Sequence, residues 1–509
     1  MRRVMCKMMC PRTVILAALT VALLAGSVQA RMVTMPEAED IATNWIALVI
    51  GTKGAWGEAE QASVVSTEPI MLDGTPIGYC CHIAPRGHVL VSLLEGLAPV
   101  KAYSAIAEFE PGIDQALAVP IKKKMGCMLD EIKTRFGSLA AVTAADLESL
   151  LEIDYQPSWD LLRVEPKHFQ IPSEAEPTHP ASKSTRYNAG DVLLTSFWTQ
   201  IDPYNRHCPA ASGGCDQDRC MAGCVAIATG QIMNYWKWPP HGTIVPYIDP
   251  YDWGAIADTV TGGSSAETIE GVAELCHEVG VSVITEYCVD GCASSASLSS
   301  VLFAYKVFFF YEDYCRILLY DDYDASDWWD IVTGYIEIDS PIQYSIASHH
   351  MVLDGYDYIA AQRMVHFNMG WAGGSPADSC WDPYPNTNTW YSMDAIPCNP
   401  TTDDDRMLCN LRPINVMAWP VEGYYPPPSP GFPYRYFFFG DFGSQGAEFA
   451  PGQYLQFHRR VRVFGDLAFR GSSSADPLHI YTEGDPTRGI RVDDGAMVSY
   501  WPGGFQLHP

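Results

Sequence analysis

Two proline-dense stretches cut this chain into blocks, and no other feature limits its fold so strongly. Pro166, Pro172, Pro177 and Pro180 fall among serines and charges within residues 166–190, and Pro420, Pro426, Pro427, Pro428, Pro430 and Pro433 crowd residues 417–434. Proline offers no N–H to a helix or an interior strand and restrains the residue before it, so neither stretch fits inside a packed element. What remains is a block at 31–165, a block at 191–416 and a glycine- and aromatic-rich tail at 435–509. A length of 509 residues carries an expectation of about three domains.

Residues 1–30 read as an address. Arg2, Arg3, Lys7 and Arg12 lead an apolar run from Val14 to Ala25, and Val28-Gln29-Ala30 supplies small residues for cleavage, the plan of a signal peptide. The apolar run is shorter than the roughly 20 residues a bilayer span needs, and no later stretch is long and apolar enough. Cys6 and Cys10 precede the apolar core and are not placed as a lipoprotein cysteine would be. The expectation is a secreted, extracellular protein without a membrane span, with cell surface and periplasm as alternatives. A net charge of −28, from 60 acidic and 32 basic residues, argues against nucleic acid as a partner. Sixteen cysteines in an exported chain favour disulfides.

The first block reads as α+β. A helix with acids in its first turn is expected from Met35 through Ile50, and strands from Tyr79 to Ile83, Gly87 to Ser92 and Pro99 to Ser104. Cys81 beside His82 has no further ligand nearby and reads as a strand face. The block shows no chemistry of its own. In the tail, Gly446-Ala447 with Pro451-Gly452-Gln453-Tyr454 is echoed by Gly495-Ala496 with Pro502-Gly503-Gly504-Phe505. Alternating stretches between these turns predict a small β-rich, solenoid-like module. A plain appendage, a surface or glycan binder and an export device are all compatible with it.

The middle block carries the chemistry. Val225, Ala228, Ile232 and Tyr235 recur at helical steps after Ala222-Gly223-Cys224, and Trp238-Pro239-Pro240 ends the pattern. Cys224 thus falls in the first turn of a buried helix, where unpaired N–H groups favour a thiolate. Ser196 to Gln200 reads as a strand-like piece that places an amide ahead of this helix. Downstream, Ser348-His349-His350 opens one strand, and Val365 to Asn368 forms a second that ends in Met369-Gly370-Trp371-Ala372-Gly373-Gly374. The order is Gln, Cys, His, Asn. A thiol nucleophile needs an imidazole to take its proton and return it to the leaving amine. The imidazole needs a partner that fixes its tautomer, and the oxyanion needs donors such as Gln200 and the Cys224 N–H.

These motifs resemble the papain-like cysteine peptidases, and among them the secreted bacterial streptopain family. The resemblance rests on Phe197-Trp198-Thr199-Gln200 with Pro203-Tyr204-Asn205, Gly223-Cys224-Val225-Ala226 with Gln231-Ile232-Met233, His349 with Asp354-Gly355-Tyr356, and Phe367-Asn368-Met369-Gly370-Trp371. It implies an α+β fold, with a papain-like two-lobed catalytic domain at 191–416. An inhibitory prodomain would occupy 31–165, and 166–190 would be an activation linker. It also implies Gln200 as the oxyanion amide, Cys224 as nucleophile, His349 as general base and acid, Asn368 as imidazole orienter and Trp371 as a shield. Protein or peptide substrates, the chain's own propeptide as inhibitor, and neither cofactor nor catalytic metal follow from the same likeness. Two departures stand out. The family has one histidine preceded by glycine where this chain has Ser348-His349-His350, so His350 is an alternative base. It has tryptophan after the asparagine where this chain has Met369.

Cysteine parity agrees with a free nucleophile. From residue 187 onward there are eleven cysteines, so five disulfides would leave one thiol. Cys208, Cys215 and Cys220 with His207 allow a zinc reading, but disulfides are the commoner state in exported loops. Acid runs at Tyr320–Asp324 and Asp403–Asp405 lack the spacing of a calcium loop and read as solvated. The rival to an endopeptidase is a disulfide-rich extracellular binding or adhesion protein on an inactive papain-like scaffold. An amidase or transpeptidase would use the same nucleophile.

Overall fold

The computed structural model describes residues 29–112, 118–164, 187–211, 215–239, 241–242, 250–311, 314–346, 349–370, 389–395 and 405–413, with strand segments between 424 and 508. Most of the expected signal peptide, the bulk of both proline-dense stretches, and Trp371 lie outside the described residues.

In the first block, helix α1 (Met35–Lys53) begins with proline in its first turn and ends at Gly54, whose φ of 85° supplies the left-handed cap. Its buried Ile41, Ala42, Trp45, Ile46 and Val49 form one face, which packs on strands β1 (Ser63–Leu72), β2 (Thr75–Ala84) and β3 (His88–Ser92). Strand β4 (Val100–Ser104) follows, then α2 (Ala118–Phe136), α3 (Ala144–Leu151) and α4 (Gln156–Leu162). Thr143 and Asp146 close a capping box at the start of α3.

The middle block contributes α5 (Cys224–Trp236), α6 (Ala266–Ser282), a hairpin of β5 (Glu286–Asp290) and β6 (Ala293–Ser295), α7 (Leu298–Val307), β7 (Arg316–Leu319) and α8 (Ala325–Glu337). Strands β8 (Ile342–Ile346), β9 (His349–Ile359), β10 (Gln362–Asn368), β11 (Thr389–Ser392) and β12 (Arg406–Cys409) complete it. Asp324, the last acid of its run, caps α8 by accepting from the Ser326 and Asp327 N–H groups.

The two blocks share one antiparallel sheet of ten strands, in the order β1-β2-β3-β4-β11-β10-β9-β8-β12-β7. The junction is the β4–β11 pair, with Tyr103 opposite Trp390 and Ala102 opposite Tyr391. Along β9, Met351 and Leu353 enter a core shared with the first block and α8, while Val352 enters the core around α5, α6 and α7. The sheet therefore separates the helical lobe that holds Cys224 from the rest. The chain is α+β.

Two sequence expectations need correction. Residues 196–200 are not a ladder strand, because their backbone is engaged elsewhere: Phe197 N–H donates to the Asp258 carbonyl and the Gln200 carbonyl accepts from Ala222 N–H. Five disulfides are expected; among the described residues two are formed, Cys215–Cys292 and Cys220–Cys288, while Cys208, Cys224, Cys276, Cys315 and Cys409 are in no disulfide, and Cys380 and Cys398 lie outside the described residues. Cys315 and Cys409 lie on adjoining strand ends but bury in different cores on opposite faces of the sheet, so they do not meet.

In the tail, β13 (Tyr424–Tyr425), β14 (Tyr436–Phe438), β15 (Ala447–Phe449), β16 (Tyr454–Phe457), β17 (Arg460–Val463), β18 (Leu467–Phe469), β19 (Leu478–Tyr481), β20 (Gly489–Val492), β21 (Val498–Tyr500) and β22 (Phe505–His508) pair only in parallel. The ladders are β13-β15-β18-β21, β14-β16-β19-β22 and β17-β20. Successive strands from β15 onward visit the three ladders in rotation, the connectivity of a β-solenoid.

Candidate active site

Cys224 is the first residue of α5, preceded by Gly223 at φ 92°. A side chain there would be strained by that φ and would sit 3.3 Å from Ser294 Cβ, so glycine lets the chain turn closely into the helix. The approach is tied on both sides. Met221 N–H donates to the Cys292 carbonyl at 2.9 Å, Ser294 Oγ donates to the Met221 carbonyl at 2.7 Å, and Ala222 N–H donates to Gln200 at 2.9 Å. Gln200 is buried, and its backbone is thereby fixed beside the Cys224 turn.

The N–H groups of His350, Val225 and Cys224 itself all favour the Cys224 thiolate. The expected drop in thiol pKa nevertheless does not occur: burial pushes the thiol above its ordinary value and outweighs these donors. His349 and His350 open β9, which packs on α5. His349 Nε2 lies 2.8 Å from the Met369 carbonyl oxygen. A carbonyl only accepts, so Nε2 carries the proton and Nδ1 is the basic nitrogen. Burial pushes His349 down to about 4 against the opposing effect of that carbonyl. Burial and then His349 push His350 down to about 3. At neutral pH thiol and imidazoles are all uncharged. His350 faces Ser345 on β8, with Nε2 3.5 Å from the hydroxyl, and its Nδ1 has no hydrogen-bond partner among the described residues.

Asn368, at the end of β10, does not hydrogen-bond the imidazole. Its Oδ1 accepts from Gln231 Nε2 at 3.2 Å and Gly370 N–H at 3.2 Å. Its Nδ2 donates to the Ser196 carbonyl at 2.6 Å and to Gln231 Oε1 at 2.9 Å. The complementary amide of Gln231 occupies Asn368, and the next carbonyl along the chain meets His349 instead. The His350 N–H and the Gln200 backbone thus adjoin the start of α5 at Cys224, while Asn368 meets the same helix at Gln231, two turns further on, and His349 is tied to the carbonyl that follows Asn368.

Sequence reasoning missed Gln231, Ser196 and the Met369 carbonyl. It also missed the junction between the blocks. There Lys101 Nζ pairs with Asp394 at 2.6 Å, Ala98 N–H donates to the same carboxylate, and Lys53 pairs with Asp357 at 2.7 Å. A signal for Gln231 existed: Thr229, Gln231 and Asn234 are polar residues in a helix with twelve buried positions, and buried polar groups seek partners. Among the described residues, no group of three or more His, Cys, Asp or Glu is arranged to hold a metal ion, and no helix is long and apolar enough to cross a membrane.

Residues 198–377 match the model of the Peptidase C10 family. The chain is 27% identical over 228 residues to the thiol protease/hemagglutinin PrtT of Porphyromonas gingivalis, covering 40% of this chain and 25% of that protein. It therefore spans about a quarter of that relative's length. Over 354 residues it is 24% identical to streptopain of Streptococcus pyogenes, covering 62% of this chain and 79% of streptopain. Among solved structures, a prointerpain A fragment from Prevotella intermedia aligns with 18% identity and a TM-score of 0.48, over 68% of this chain and 99% of that one. Active interpain A of the same organism aligns with 23% identity and a TM-score of 0.34, over 44% and 94%.

Proposed function

We propose that the chain is a cysteine-type peptidase of the streptopain family, a secreted zymogen that hydrolyses peptide bonds through a Cys224 acyl-enzyme. His349 is the general base and acid, Gln200 and the Cys224 N–H hold the oxyanion, and Asn368 orients the imidazole from a distance. Residues 31–165 are the inhibitory prodomain, residues 166–190 carry the activation cleavage, and residues 435–509 form a separate β-rich module.

The observation that carries this reading is the meeting of α5 and β9. Cys224 begins the helix, the His350 N–H bears on its sulfur, and the neighbouring His349 is held with Nδ1 as its basic nitrogen. His349 Nδ1 takes the thiol proton, and the sulfur attacks the carbonyl carbon of the scissile bond. The tetrahedral oxyanion draws on fixed donors, and the imidazolium returns its proton to the leaving amine. Water, activated by the same imidazole, then hydrolyses the thioester. Latency is supported by two features of the full chain: the strand pairing of β4 with β11, and a thiol that burial keeps protonated.

The test is intact and peptide mass spectrometry of the full chain and its Cys224→Ala variant, each incubated with an epoxide inhibitor and casein. Label on Cys224, casein cleavage and loss of residues 31–165, all absent from the variant, are expected. A Cys224 that stays unlabelled after the first block is removed would leave the binding-protein reading in its place.

A further inference from the structure

We propose that Gln231 is a positioning residue for the catalytic imidazole, acting through Asn368 and a single peptide plane. The inference rests on the Cys224–His349 reading above and concerns how His349 is aimed. Gln231 lies seven residues beyond Cys224, two turns along the same face of α5, and is fully buried. Its Oε1 accepts from Asn368 Nδ2 at 2.9 Å, from Ser196 Oγ at 3.1 Å and from Trp198 N–H at 3.3 Å. Its Nε2 donates to Asn368 Oδ1 at 3.2 Å. Two amides thus face each other as donor-to-acceptor pairs, which leaves Asn368 one orientation.

Asn368 passes that orientation on. Its Oδ1 also accepts from Gly370 N–H, which closes a turn around Met369. That N–H belongs to the same planar peptide unit as the Met369 carbonyl, which accepts from His349 Nε2. Fixing one side of the plane fixes the other. Gly370 makes the arrangement possible: at φ 62° a Cβ there would lie 2.7 Å from Ile227 Cγ2 on α5. The chain Gln231, Asn368, Met369–Gly370 peptide, His349 therefore aims the base from the helix that carries the nucleophile. One rigid helix sets both reacting groups.

The experiment compares the full chain with Gln231→Met and Gln231→Glu, after activation, in kcat, KM, pH profile and the rate of Cys224 alkylation by iodoacetamide. Gln231→Met keeps bulk but loses every hydrogen bond, and kcat is expected to fall about 10- to 100-fold with KM within about twofold. Gln231→Glu separates positioning from packing. The groups bonded to this side chain, Ser196, Trp198 and Asn368, are all uncharged. A protonated carboxyl there can accept and donate as the amide does. Its kcat is expected to approach wild type at acid pH and to fall toward that of Gln231→Met as pH rises and the carboxyl ionises. Wild-type kcat and alkylation profile in Gln231→Met, or a Gln231→Glu enzyme whose kcat relative to wild type is flat with pH, would overturn the inference. If Gln231→Met does not fold, the Gln231→Glu profile decides alone. A wild-type chain with unlabelled Cys224 sinks the peptidase mechanism itself, whereas labelled wild type with unaltered Gln231 variants sinks only this inference.

Discussion

The junction between the first two blocks and the site around Cys224 are both buried and polar, yet burial has opposite consequences in them. Lys101 and Asp394 have side chains that are each 3% exposed, and they meet at 2.6 Å. Burial alone would raise Asp394, but Lys101, Ser392 and the Ala98 N–H outweigh it and hold the carboxyl below its ordinary value. The junction is a fixed charge pair. At the site burial is instead the dominant influence: it raises the thiol, lowers both histidines, and leaves an acid and a base that are each neutral. Burial offset by an opposite charge locks that charge in place, whereas burial that outweighs its neighbours leaves a proton to be moved. The β9–β10 hairpin contains its own control. His366 Nδ1 lies 2.6 Å from the Asp354 carboxylate, while His349 Nε2 on the neighbouring strand meets the Met369 carbonyl at 2.8 Å.

The largest effect should come from removing the mobile proton's acceptor. His349→Ala is expected to lower kcat at least 10³-fold, and His350→Ala less than about tenfold, since its ring faces Ser345 on the neighbouring strand. Steady-state kinetics on one peptide substrate, with melting curves for both variants, decides between them. The reverse ranking would make His350 the base.

Breaking the junction should act on latency rather than on chemistry. Lys101→Ala leaves the Asp394 charge buried without its partner, which costs about 3–5 kcal/mol. The first block should then release earlier, read as faster loss of residues 31–165 with kcat of the released enzyme unchanged. Pairing Lys101→Met with Asp394→Leu should recover most of the stability. If the single variant matures at the wild-type rate, the junction is no latch.

Acid should loosen the first block through a third buried group. His88 in β3 is fully buried, and burial pushes it down to about 4 from an ordinary value near 6.5, with the Ala107 carbonyl opposing. A folded-state pKa below the unfolded one contributes stability that is fully present above pH 6.5. It is lost as pH falls toward about 4, an interval worth about 3 kcal/mol. His349 and His350 act in the same direction on the middle block. His88→Phe should flatten that slope for the first block, followed by thermal melting from pH 7 to pH 4.

The contrast between junction and site also marks what was legible in the sequence. Helix α5 could be read from the spacing of Val225, Ala228 and Ile232 and from the prolines after it, and β9 and β10 from their apolar runs. These are local patterns, and local patterns survive in a linear string. The pairing of β4 with β11 joins Ala102 to Tyr391 and follows from no local pattern. Lys101 reads as a surface residue until Asp394 is brought to it. The partner of His349 escaped for a different reason. It is a backbone carbonyl, which every residue carries, and its aim depends on how Asn368 is held rather than on the residue type at 369.

The smallest effect concerns the wall beside Cys224. Cys215–Cys292 and Cys220–Cys288 close loops of 77 and 68 residues, and taken alone each would be a strong constraint on the unfolded chain. They join the same two segments, however, so once one is formed the other closes only a short additional loop. Removing one pair, as Cys215→Ser with Cys292→Ser, should therefore cost only about 1 kcal/mol. The remaining bond still holds the β5–β6 hairpin to the turn where Met221 N–H reaches the Cys292 position. A fall in kcat of about two- to fivefold is expected, with KM little changed, because in the proposed mechanism that turn aims the Cys224 N–H toward the oxyanion. Removing both pairs should produce a loss clearly larger than twice the single effect in free-energy terms. Simple additivity in a double-pair cycle would show that the two bonds brace independent parts of the wall.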